Sequence, residues 1–488
     1  MRPSPVPPAE IESILRQVRA RFGERPEAAA ESAPGSPPRP RPAAPALGEG
    51  IHPTVEGAVT AAAAAFGRFA EAGLERRRTV VAAIRRAMLE SAEELGALAR
   101  EETGLGRTGD KALKNRLVAG KTPGTEDLEP ETVTGDHGTT ITEYAPFGIV
   151  ASITPTTNPT STIINNSIAI LAAGNAVVFN VHPNAKAVSV ETVRRLNRAI
   201  VGAGGPPDLV TALPEPTIAS AQELMAHRRV RLLLVTGGPG VVEEALKTRK
   251  RAITAGPGNP PVVVDDTADI GHAAREIVRG ASFDNNVVCT DEKEVFVVAS
   301  KADELLRAMG RGGAVVLTPH QLRQIERVIF REPGAPGKPG RIDPRWIGKN
   351  AGAILAEIGV AAGDEVRLAV AEVPREHSLV WTEQMMPVLP VVRVGSVDEA
   401  IDLAHAAEHG FRHTASIFSR DVSTITRMAR LMNVSIFVAN AANLAGLGDG
   451  GEGFTSYSIA TPTGEGLTRP RTFSRVRRFT VAGSLRVV

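Results

Sequence analysis

Apolar and polar positions along most of this chain follow the two periods expected of an α/β protein. Short apolar runs rich in β-branched residues, typical of buried strands, recur between helical stretches of about ten to fifteen residues. In the first half of the chain the predicted strands are Gly148–Thr154, Ala176–Asn180, Leu209–Ala212 and Val230–Val235. The helices predicted between them are Ser161–Ala173, Ala187–Val201 and Ile218–Ala226. This alternation predicts a mostly parallel sheet with helices on both faces.

A second α/β unit is predicted from about Pro261 onward. Its predicted strands are Val262–Val264, Glu294–Val298, Ala314–Leu317, Leu389–Val394 and Ala415–Phe418. Helical stretches at Val55–Phe69 and Arg76–Glu102 precede the first unit, and β-rich residues around a Gly-Asp-His-Gly turn predict a hairpin at Thr132–Thr142. The tail, Arg471–Val488, alternates apolar and basic residues, which indicates a terminal strand region for subunit contact.

The start of the chain has a different pattern. Apolar residues recur there at helical spacing, namely Ile11, Ile14, Leu15, Val18 and Phe22. They predict a short amphipathic helix over residues 9–22, and the repeated prolines of residues 25–46 predict an extended, solvated linker. Composition alone leaves both a frayed terminus and a docking tag open. A mitochondrial presequence is a third interpretation, weakened by Glu10, Glu12 and Glu24.

Composition and charge exclude several classes of protein. A chain of 488 residues is long enough for two or three domains of roughly 100–200 residues each. The net charge of +2 gives no electrostatic case for nucleic acid or an anionic membrane, and an aromatic content of 4% argues against base-stacking platforms. No apolar run approaches the ~18 residues that span a bilayer, and the N-terminus lacks secretory-signal features. We therefore expect a soluble, intracellular protein.

The single cysteine excludes a disulfide framework and a multi-cysteine metal site. A lone cysteine is by default an inert, buried thiol. Cys289, however, follows a polar, turn-forming stretch, residues 280–286, and precedes the predicted strand Glu294–Val298. That context places the thiol at the mouth of a loop, where a substrate can reach it, and a thiolate is the species that attacks a carbonyl.

Three further motifs are each ambiguous when taken alone. Asn158 lies at the carboxyl end of a predicted strand, where its amide could donate to an oxyanion, although Asn-Pro is also a turn signal. Residues 236–240 (TGGPG) lie between a strand and a helix, where a backbone can approach a pyrophosphate or simply turn. Residues 381–388 (WTEQMMPV) lead from Glu383 into a strand, which a capped loop would also do.

The order and spacing of these motifs resemble those of the aldehyde dehydrogenase superfamily from about residue 50 onward. The runs that carry the resemblance are TPTTNPT, INNSIAILAAGNAVVF, AGPGNPPVVVDDTADI, FDNNVVCTDEKEVFVV and EQMMPVLPVV. They are most similar to the coenzyme-A-acylating propionaldehyde and acetaldehyde dehydrogenases of bacterial microcompartments. The resemblance implies an aldehyde dehydrogenase-like α/β fold, with two Rossmann-like parallel-sheet domains and a small β oligomerisation arm.

The resemblance also implies domain boundaries. Residues 50–130 and 145–254 match the NAD-binding domain, and residues 255–455 match the catalytic domain with Cys289. Residues 131–144 and 465–488 match the oligomerisation arm of a homodimer or homotetramer. Residues 1–24 match an encapsulation tag that lays its apolar face into a groove of a shell protein, and residues 25–49 match its linker. The expected location is the bacterial cytoplasm, in the lumen of a microcompartment.

Site roles follow from the same resemblance. Cys289 matches the nucleophile, and Asn158 matches the side-chain donor of the oxyanion hole, shared with the backbone N–H of Cys289. Gly237 and Gly238 match the turn beside the NAD pyrophosphate, and Glu383 matches the carboxylate on the nicotinamide ribose. The remaining expected cofactor contacts are Thr154, Pro155, Thr156, Thr236, Gly256 and Pro387. The implied reaction oxidises a short aldehyde with NAD and passes the acyl group to coenzyme A.

One departure from hydrolytic relatives is informative. They carry a glutamate that activates water, whereas the corresponding stretch here, Thr254–Gly258, has no carboxylate. Without that base the thioester is expected to wait for the thiol of coenzyme A. A hydrolytic dehydrogenase that releases the free acid, and a catalytically silent scaffold, remain as alternatives. Which short aldehyde is used (acetaldehyde, propionaldehyde or lactaldehyde) stays open, because a methylene changes selectivity by only about 1–3 kcal/mol.

Two other features bear on cofactors. Asn180 lies where many relatives place a lysine against the adenosine ribose, so the choice between NAD and NADP stays open, with His182, Pro183 and Lys186 nearby. His405, His409 and His413 have a spacing that could suggest a metal face. Because Gly410 intervenes and no carboxylate or cysteine lies at matching offsets, no metal is expected. His413 as a proton acceptor for the incoming thiol is conceivable.

Overall fold

Two parallel sheets carry the fold of the computed structural model, which describes residues 47–486. The predicted helix of residues 9–22, and with it the proposed tag and most of the linker, lies outside the described residues. No helix within residues 47–486 is long and apolar enough to cross a membrane.

The helices of this part of the chain are α1 Val55–Ala70, α2 Leu74–Glu90, α3 Ala92–Thr103, α4 Thr108–Lys121, α5 Pro159–Ala172, α6 Lys186–Gly202, α7 Ile218–Ala226, α8 Pro239–Lys247, α9 Ile270–Ala281, α10 Ala299–Arg311, α11 Pro319–Ile329, α12 Ala351–Ala356, α13 Val397–Ala407 and α14 Val422–Met432. The strands are β1 Glu131–Gly135, β2 Gly138–Pro146, β3 Ile149–Ile153, β4 Ala176–Asn180, β5 Val210–Ala212, β6 Val230–Thr236, β7 Arg251–Ala255, β8 Pro261–Val264, β9 Glu294–Val298, β10 Val315–Val316, β11 Phe330–Glu332, β12 Arg341–Ile342, β13 Ala369–Val373, β14 Val388–Val394, β15 Thr414–Phe418, β16 Ile436–Ala439, β17 Ile459–Ala460, β18 Gly466–Leu467 and β19 Ser474–Ala482.

The first sheet has the strand order β5-β4-β3-β6-β7, and all of its neighbours are parallel. Every residue of β3 and β4 is buried, as the continuous apolar runs predict for strands covered on both faces. From β3 the chain builds outward to β4 and β5, then returns to place β6 on the other side of β3. Ile153 therefore lies opposite both Asn180 and Val235, and a crevice opens at the carboxyl ends of β3 and β6.

The second sheet has the order β10-β13-β14-β9-β8-β15-β16, again with parallel neighbours throughout. Helices cover both of its faces and form two apolar layers, one around Phe296 and Trp381 and the other around Ile277 and Phe418. The predicted α/β fold with two parallel-sheet units is thus confirmed. Of its strands, β13 and β16 were not predicted, although they are short apolar runs like those that were.

A third, antiparallel sheet has the order β1-β2-β19. The predicted hairpin is confirmed as β1 and β2, and β19 pairs with β2 over nine residues, from Ser474 opposite Pro146 to Ala482 opposite Gly138. Val133, Val476 and Phe479 on this sheet are exposed apolar side chains.

Two helical predictions need correction. The predicted stretch Arg76–Glu102 is not one helix: α2 ends at Glu90 and α3 begins at Ala92, with Ser91 as the cap of both. Serine competes for backbone hydrogen bonds and so favours helix ends. Helix α4 is absent from the prediction, because Lys111, Lys114 and Asn115 interrupt the apolar positions of its inward face.

Asn175, in the turn between α5 and β4, joins three segments through a fully buried side chain. Its Oδ1 accepts from the backbone N–H groups of Phe147 (2.7 Å) and Gly148 (3.0 Å), and its Nδ2 donates to the carbonyl of Phe473 (2.9 Å). The amide thus fixes the start of β3 and the start of β19 against the same helix.

We expect Asn175→Ala to lower the free energy of unfolding by about 3 kcal/mol, because it leaves buried backbone groups without partners. Urea unfolding followed by circular dichroism measures the change. Ala at the exposed Asn184 is the matched control and should change the midpoint little. A wild-type midpoint for Asn175→Ala would contradict the assignment.

Candidate active site

The candidate site lies where the carboxyl edge of the first sheet meets the amino edge of the second. Asn158 follows β3 and Gly256 follows β7, whereas Cys289, Glu383 and His413 precede β9, β14 and β15. The β7–β8 connection joins the two edges. A Cβ atom on its Gly258 would lie only 2.6 Å from the carbonyl oxygen of Cys289 and 3.1 Å from Cγ of His413. A glycine at this position therefore allows the three segments to approach closely.

Three consecutive left-handed residues shape the loop that leads to Cys289. Asp284, Asn285 and Asn286 have φ values of 43°, 56° and 63°. Asp and Asn tolerate this region better than other non-glycine residues, which explains the Asp-Asn-Asn run. Each side chain is buried and anchored: for example, Nδ2 of Asn285 donates to the Gly348 carbonyl at 2.9 Å. The polar turn predicted from sequence is therefore a rigid, hydrogen-bonded structure.

Lys293 supports the same loop from its other end. Its buried ammonium donates to Oδ1 of Asn286 (2.6 Å) and to the carbonyls of Asn286 (2.8 Å) and Val288 (3.4 Å). Oδ2 of Asp291 accepts from the backbone N–H of Val288 at 3.1 Å. The backbone that leads into Cys289 is therefore fixed by two buried side chains, Lys293 and Asp291, that follow it in the chain.

Cys289 is partly exposed, as expected for a thiol that a substrate can reach. Burial raises its pKa to about 12, the negative charge of Glu383 acts in the same direction, and Lys293 opposes both. In the unliganded protein the group is therefore a thiol at neutral pH, and the attacking thiolate has to be generated when substrates are present.

Asn158 is 7% exposed and is connected to the cysteine loop. Lys114 on α4 donates to Oδ1 of Asn158 at 2.6 Å and also forms a short ion pair with Asp284. Nδ2 of Asn158 donates to Oγ1 of Thr157 at 3.2 Å. From sequence, Asn158 and Cys289 were assigned to one site only through the family resemblance. The sequence analysis did not identify Lys114 and Asp284, which link the two loops.

The predicted nucleotide contacts line the crevice between β3 and β6. Thr154, Pro155 and Thr156 follow β3, and the buried hydroxyls of both threonines have no hydrogen-bond partner among the described residues. After β6, Gly238 caps the amino end of α8, and a Cβ there would have no neighbour within 4 Å. Free hydroxyls beside an open helix N-terminus suit the phosphates of a dinucleotide.

Three more predicted contacts have defined surroundings. Oγ1 of Thr236 shares a hydrogen bond of 2.7 Å with Oγ of Ser458, and the backbone N–H of Gly237 donates to the Ala255 carbonyl at 3.2 Å. A Cβ on Gly256 would lie 3.1 Å from Pro462. These residues hold the shape of the crevice.

Glu383 and Pro387 lie on the loop before β14. The backbone N–H of Gly258 donates to the Glu383 carboxylate, and burial nevertheless raises the pKa of that carboxyl above its ordinary value. Glu383 and Cys289 thus both contact Gly258 of the β7–β8 connection. The carbonyl of Pro387, by contrast, accepts from the N–H of Ala369 at 3.0 Å, so its backbone belongs to the pairing of the second sheet.

His413 is the one of the three noted histidines that lies against the Cys289 loop. Its Nδ1 is 2.9 Å from Oγ1 of Thr414, its backbone N–H donates to Glu408 at 2.8 Å, and its buried Nε2 has no partner among residues 47–486. Burial lowers its pKa to about 4, so the imidazole is neutral at physiological pH. Within that range no group of three or more acidic, histidine or cysteine side chains could hold a metal ion.

The polar side chains of the predicted adenosine-ribose region bind other residues of the protein. Oδ1 of Asn180 accepts from Oγ of Ser220 at 2.6 Å, His182 accepts from the N–H of Asn184 at 3.1 Å, and Lys186 pairs with Glu215. None of these contacts favours NAD over NADP.

Comparison with known proteins identifies relatives over most of the chain. Residues 48–312 and 366–453 match the aldehyde dehydrogenase family. Acetaldehyde dehydrogenase (acetylating) EutE of Salmonella typhimurium is 48% identical over 443 residues, which cover 90% of this chain and 94% of that protein. Propanal dehydrogenase (CoA-propanoylating) of the same organism is 43% identical and covers 88% of this chain and 92% of its own length.

Solved structures agree with this relationship. The propionaldehyde dehydrogenase of Rhodopseudomonas palustris with bound CoA and an acylated cysteine superposes with a TM-score of 0.87 at 44% identity, covering 91% of this chain and 100% of that chain. A propionaldehyde dehydrogenase from the fucose utilisation microcompartment of Clostridium phytofermentans gives a TM-score of 0.87 at 41% identity, covering 90% of this chain and 100% of its own.

The raised pKa of Cys289 predicts how its alkylation depends on pH. In the unliganded protein the iodoacetamide reaction rate should rise about tenfold per pH unit from pH 7 to pH 10 without a plateau, since the thiolate fraction grows throughout. Mass spectrometry gives an unambiguous rate, because Cys289 is the sole cysteine. Free cysteine, measured in parallel, should level off near its own pKa of about 8.5. A plateau for the protein below pH 8 would show a depressed pKa instead.

Proposed function

The chain belongs to the aldehyde dehydrogenase family, and on that premise we propose that it oxidises a short-chain aldehyde with NAD and passes the acyl group to coenzyme A. One observation carries the proposal: Cys289, whose thiol is partly exposed, packs its backbone carbonyl against a β7–β8 connection, residues 256–260, that contains no carboxylate. A nucleophile whose β7–β8 connection supplies no carboxylate to activate water suits transfer to a second thiol.

The first step forms the covalent bond. Cys289 releases its proton, the sulfur attacks the aldehyde carbon, and the electron pair of the C=O bond moves to oxygen. Nδ2 of Asn158 and the backbone N–H of Cys289 are the donors for that oxyanion, and such a donor is worth about 3–4 kcal/mol in the transition state. The oxyanion takes up the proton that the thiol released, and the product of the step is a thiohemiacetal on Cys289.

The crevice between β3 and β6 has the groups that a dinucleotide needs. The unpartnered hydroxyls of Thr154 and Thr156 and the turn at Gly237 and Gly238, which is open at Gly238, would hold the phosphates. Glu383 would hold the nicotinamide ribose. When bound there, NAD supplies a hydride acceptor. The thiohemiacetal on Cys289 would lose its hydride to that acceptor and its hydroxyl proton to solvent, which leaves a thioester on Cys289.

The second step transfers the acyl group between thiols. The sulfur of coenzyme A attacks the thioester carbon, the bond to Sγ of Cys289 breaks, and the enzyme thiol is regained after protonation. His413 suits the proton transfer, because its neutral imidazole has an unpartnered Nε2 and packs on the same Gly258 as Cys289. Thioester exchange replaces one C–S bond by another, so it is nearly isoenergetic and consumes no water.

Domain roles and assembly are also proposed. We assign residues 50–130 and 145–254 to dinucleotide binding and residues 255–455 to the thiol chemistry. Residues 131–144 and 465–488 form the arm of a homodimer or homotetramer, and the exposed apolar side chains of Val133, Val476 and Phe479 support that role.

The central prediction concerns the need for both substrates. NADH absorbance should rise only when a C2–C4 aldehyde, NAD and coenzyme A are all present, and Cys289→Ser should reduce the rate to below about a thousandth of wild type. The conservative control is Ser300→Ala at an exposed position of α10, which should keep wild-type rates. Rapid NADH formation without coenzyme A, with release of free acid, would instead establish the hydrolytic alternative.

The N-terminal segment is proposed to place the enzyme in a microcompartment lumen. Its support is the amphipathic pattern of residues 9–22 and the microcompartment origin stated for a similar structure. Deleting residues 1–24 should leave kcat/KM within about twofold of wild type but abolish co-sedimentation with shell protein. Leu15→Glu, on the apolar face, should act like the deletion, whereas Gln17→Glu, on the polar face, should not. A truncation that inactivates the enzyme would argue against a tag.

A further inference from the structure

Helix α4 presents two lysines to the interior, one turn apart. Lys111 and Lys114 are 2% and 1% exposed, and both contact the carboxylate of Asp284, which is fully buried. Lys111 also donates to the carbonyl of Thr157 at 3.2 Å, and Lys114 donates to Oδ1 of Asn158 at 2.6 Å. Two charges of one sign share one counter-charge, so neutrality alone does not account for the second lysine.

The bond to Asn158 has a directional consequence. An amide can present either its oxygen or its NH₂ group toward a neighbour, but an ammonium group is a donor only. Lys114 therefore accepts only one orientation, with Oδ1 toward the helix. Nδ2 is left on the other side, where one of its two hydrogens binds Oγ1 of Thr157 at 3.2 Å and the other remains for a ligand.

The same lysine reaches the nucleophile loop. Asp284 begins the left-handed run that leads to Cys289, and Lys114 binds its carboxylate and Asn158 at the same time. The oxyanion donor and the nucleophile loop thus share one buried anchor, and the ammonium also polarises the amide of Asn158 toward stronger donation.

We propose that Lys114 is a positioning residue for the oxyanion hole, which fixes the Asn158 amide so that its N–H edge faces the substrate carbonyl. The inference rests on the proposed role of Asn158 in the reaction. It assigns to the buried charge on α4 a task that a purely structural ion pair would not have.

The test uses a reaction that needs neither NAD nor coenzyme A. When p-nitrophenyl acetate acylates the enzyme, the Cys289 sulfur attacks the ester carbon, a tetrahedral oxyanion forms, and p-nitrophenolate leaves as the thiol proton passes to solvent. The burst of p-nitrophenolate in the full-length protein gives the acylation rate, and Cys289→Ser sets the background. Alkylation by iodoacetamide passes through no oxyanion and reports the thiol alone.

Lys114→Met should slow acylation by about 10- to 100-fold while alkylation stays within about twofold of wild type. Asn158→Ala should slow acylation at least as much, and the double variant should be no slower than Asn158→Ala alone, because Lys114 acts through that amide. Lys111→Met, the matched variant on the same carboxylate, should lose at least fivefold less than Lys114→Met.

Additive losses in the double variant, an equal loss of alkylation, or an equal loss in Lys111→Met would each overturn the inference. Removing one lysine still leaves Asp284 a partner, so folding is expected, and melting temperature checks it. If Lys114→Met does not fold, Lys114→Gln replaces it, because glutamine can accept as well as donate and so no longer fixes the amide. If the wild type is acylated and the variants show these non-additive losses, but no CoA-dependent NADH forms, the proposed function is refuted and this inference still stands.

Discussion

The buried carboxylate of Asp284 is the interaction on which the site depends. It has no access to solvent, and although burial alone would raise its pKa, the charges of Lys111 and Lys114 hold that pKa below its ordinary value. Asp284 stays ionised because helix α4 supplies both lysines. The loop after β3 holds these lysines in place by accepting hydrogen bonds from them. Removing one partner of a buried ion pair generally costs about 3–5 kcal/mol. The left-handed turn before Cys289 is stable for the same reason: its first residue is fixed by charges from another element.

The two parallel sheets contribute to the site in different ways. The first offers the carboxyl ends of its strands, as open α/β sheets usually do, and there the unpartnered hydroxyls and the free helix N-terminus collect. The second offers the amino ends of β9, β14 and β15, where Cys289, Glu383 and His413 lie. The β7–β8 connection passes directly from one edge to the other, so the segment that leaves the first sheet also contacts the backbone of Cys289 and the carboxylate of Glu383.

Much of this architecture could be predicted from sequence, because the strands are apolar runs between turn residues. Strand β4 and helix α7 were predicted to the residue, and the resemblance correctly placed the chain among acylating aldehyde dehydrogenases. Helix α4 could not be predicted from apolar periodicity, since its inward face carries charge that only a distant aspartate neutralises. A lysine pair at a spacing of three was visible, but the sequence does not show which carboxylate it meets. The left-handed run was similarly hidden, because Asp-Asn-Asn indicates a turn without indicating its hand.

Gly258 also limits how this protein could be redesigned. The Cβ of any side chain at that position would lie 2.6 Å from the carbonyl oxygen of Cys289. A carboxylate introduced there to activate water would therefore displace the backbone of the nucleophile itself. Directed evolution toward release of free acid therefore has little room at position 258. Gly256 is the less crowded position of the same connection: a side chain there would meet a proline ring at 3.1 Å, and that ring would have to shift by a few tenths of an ångström. Substitutions intended to make the enzyme release free acid should therefore be placed near the end of β7, not at Gly258.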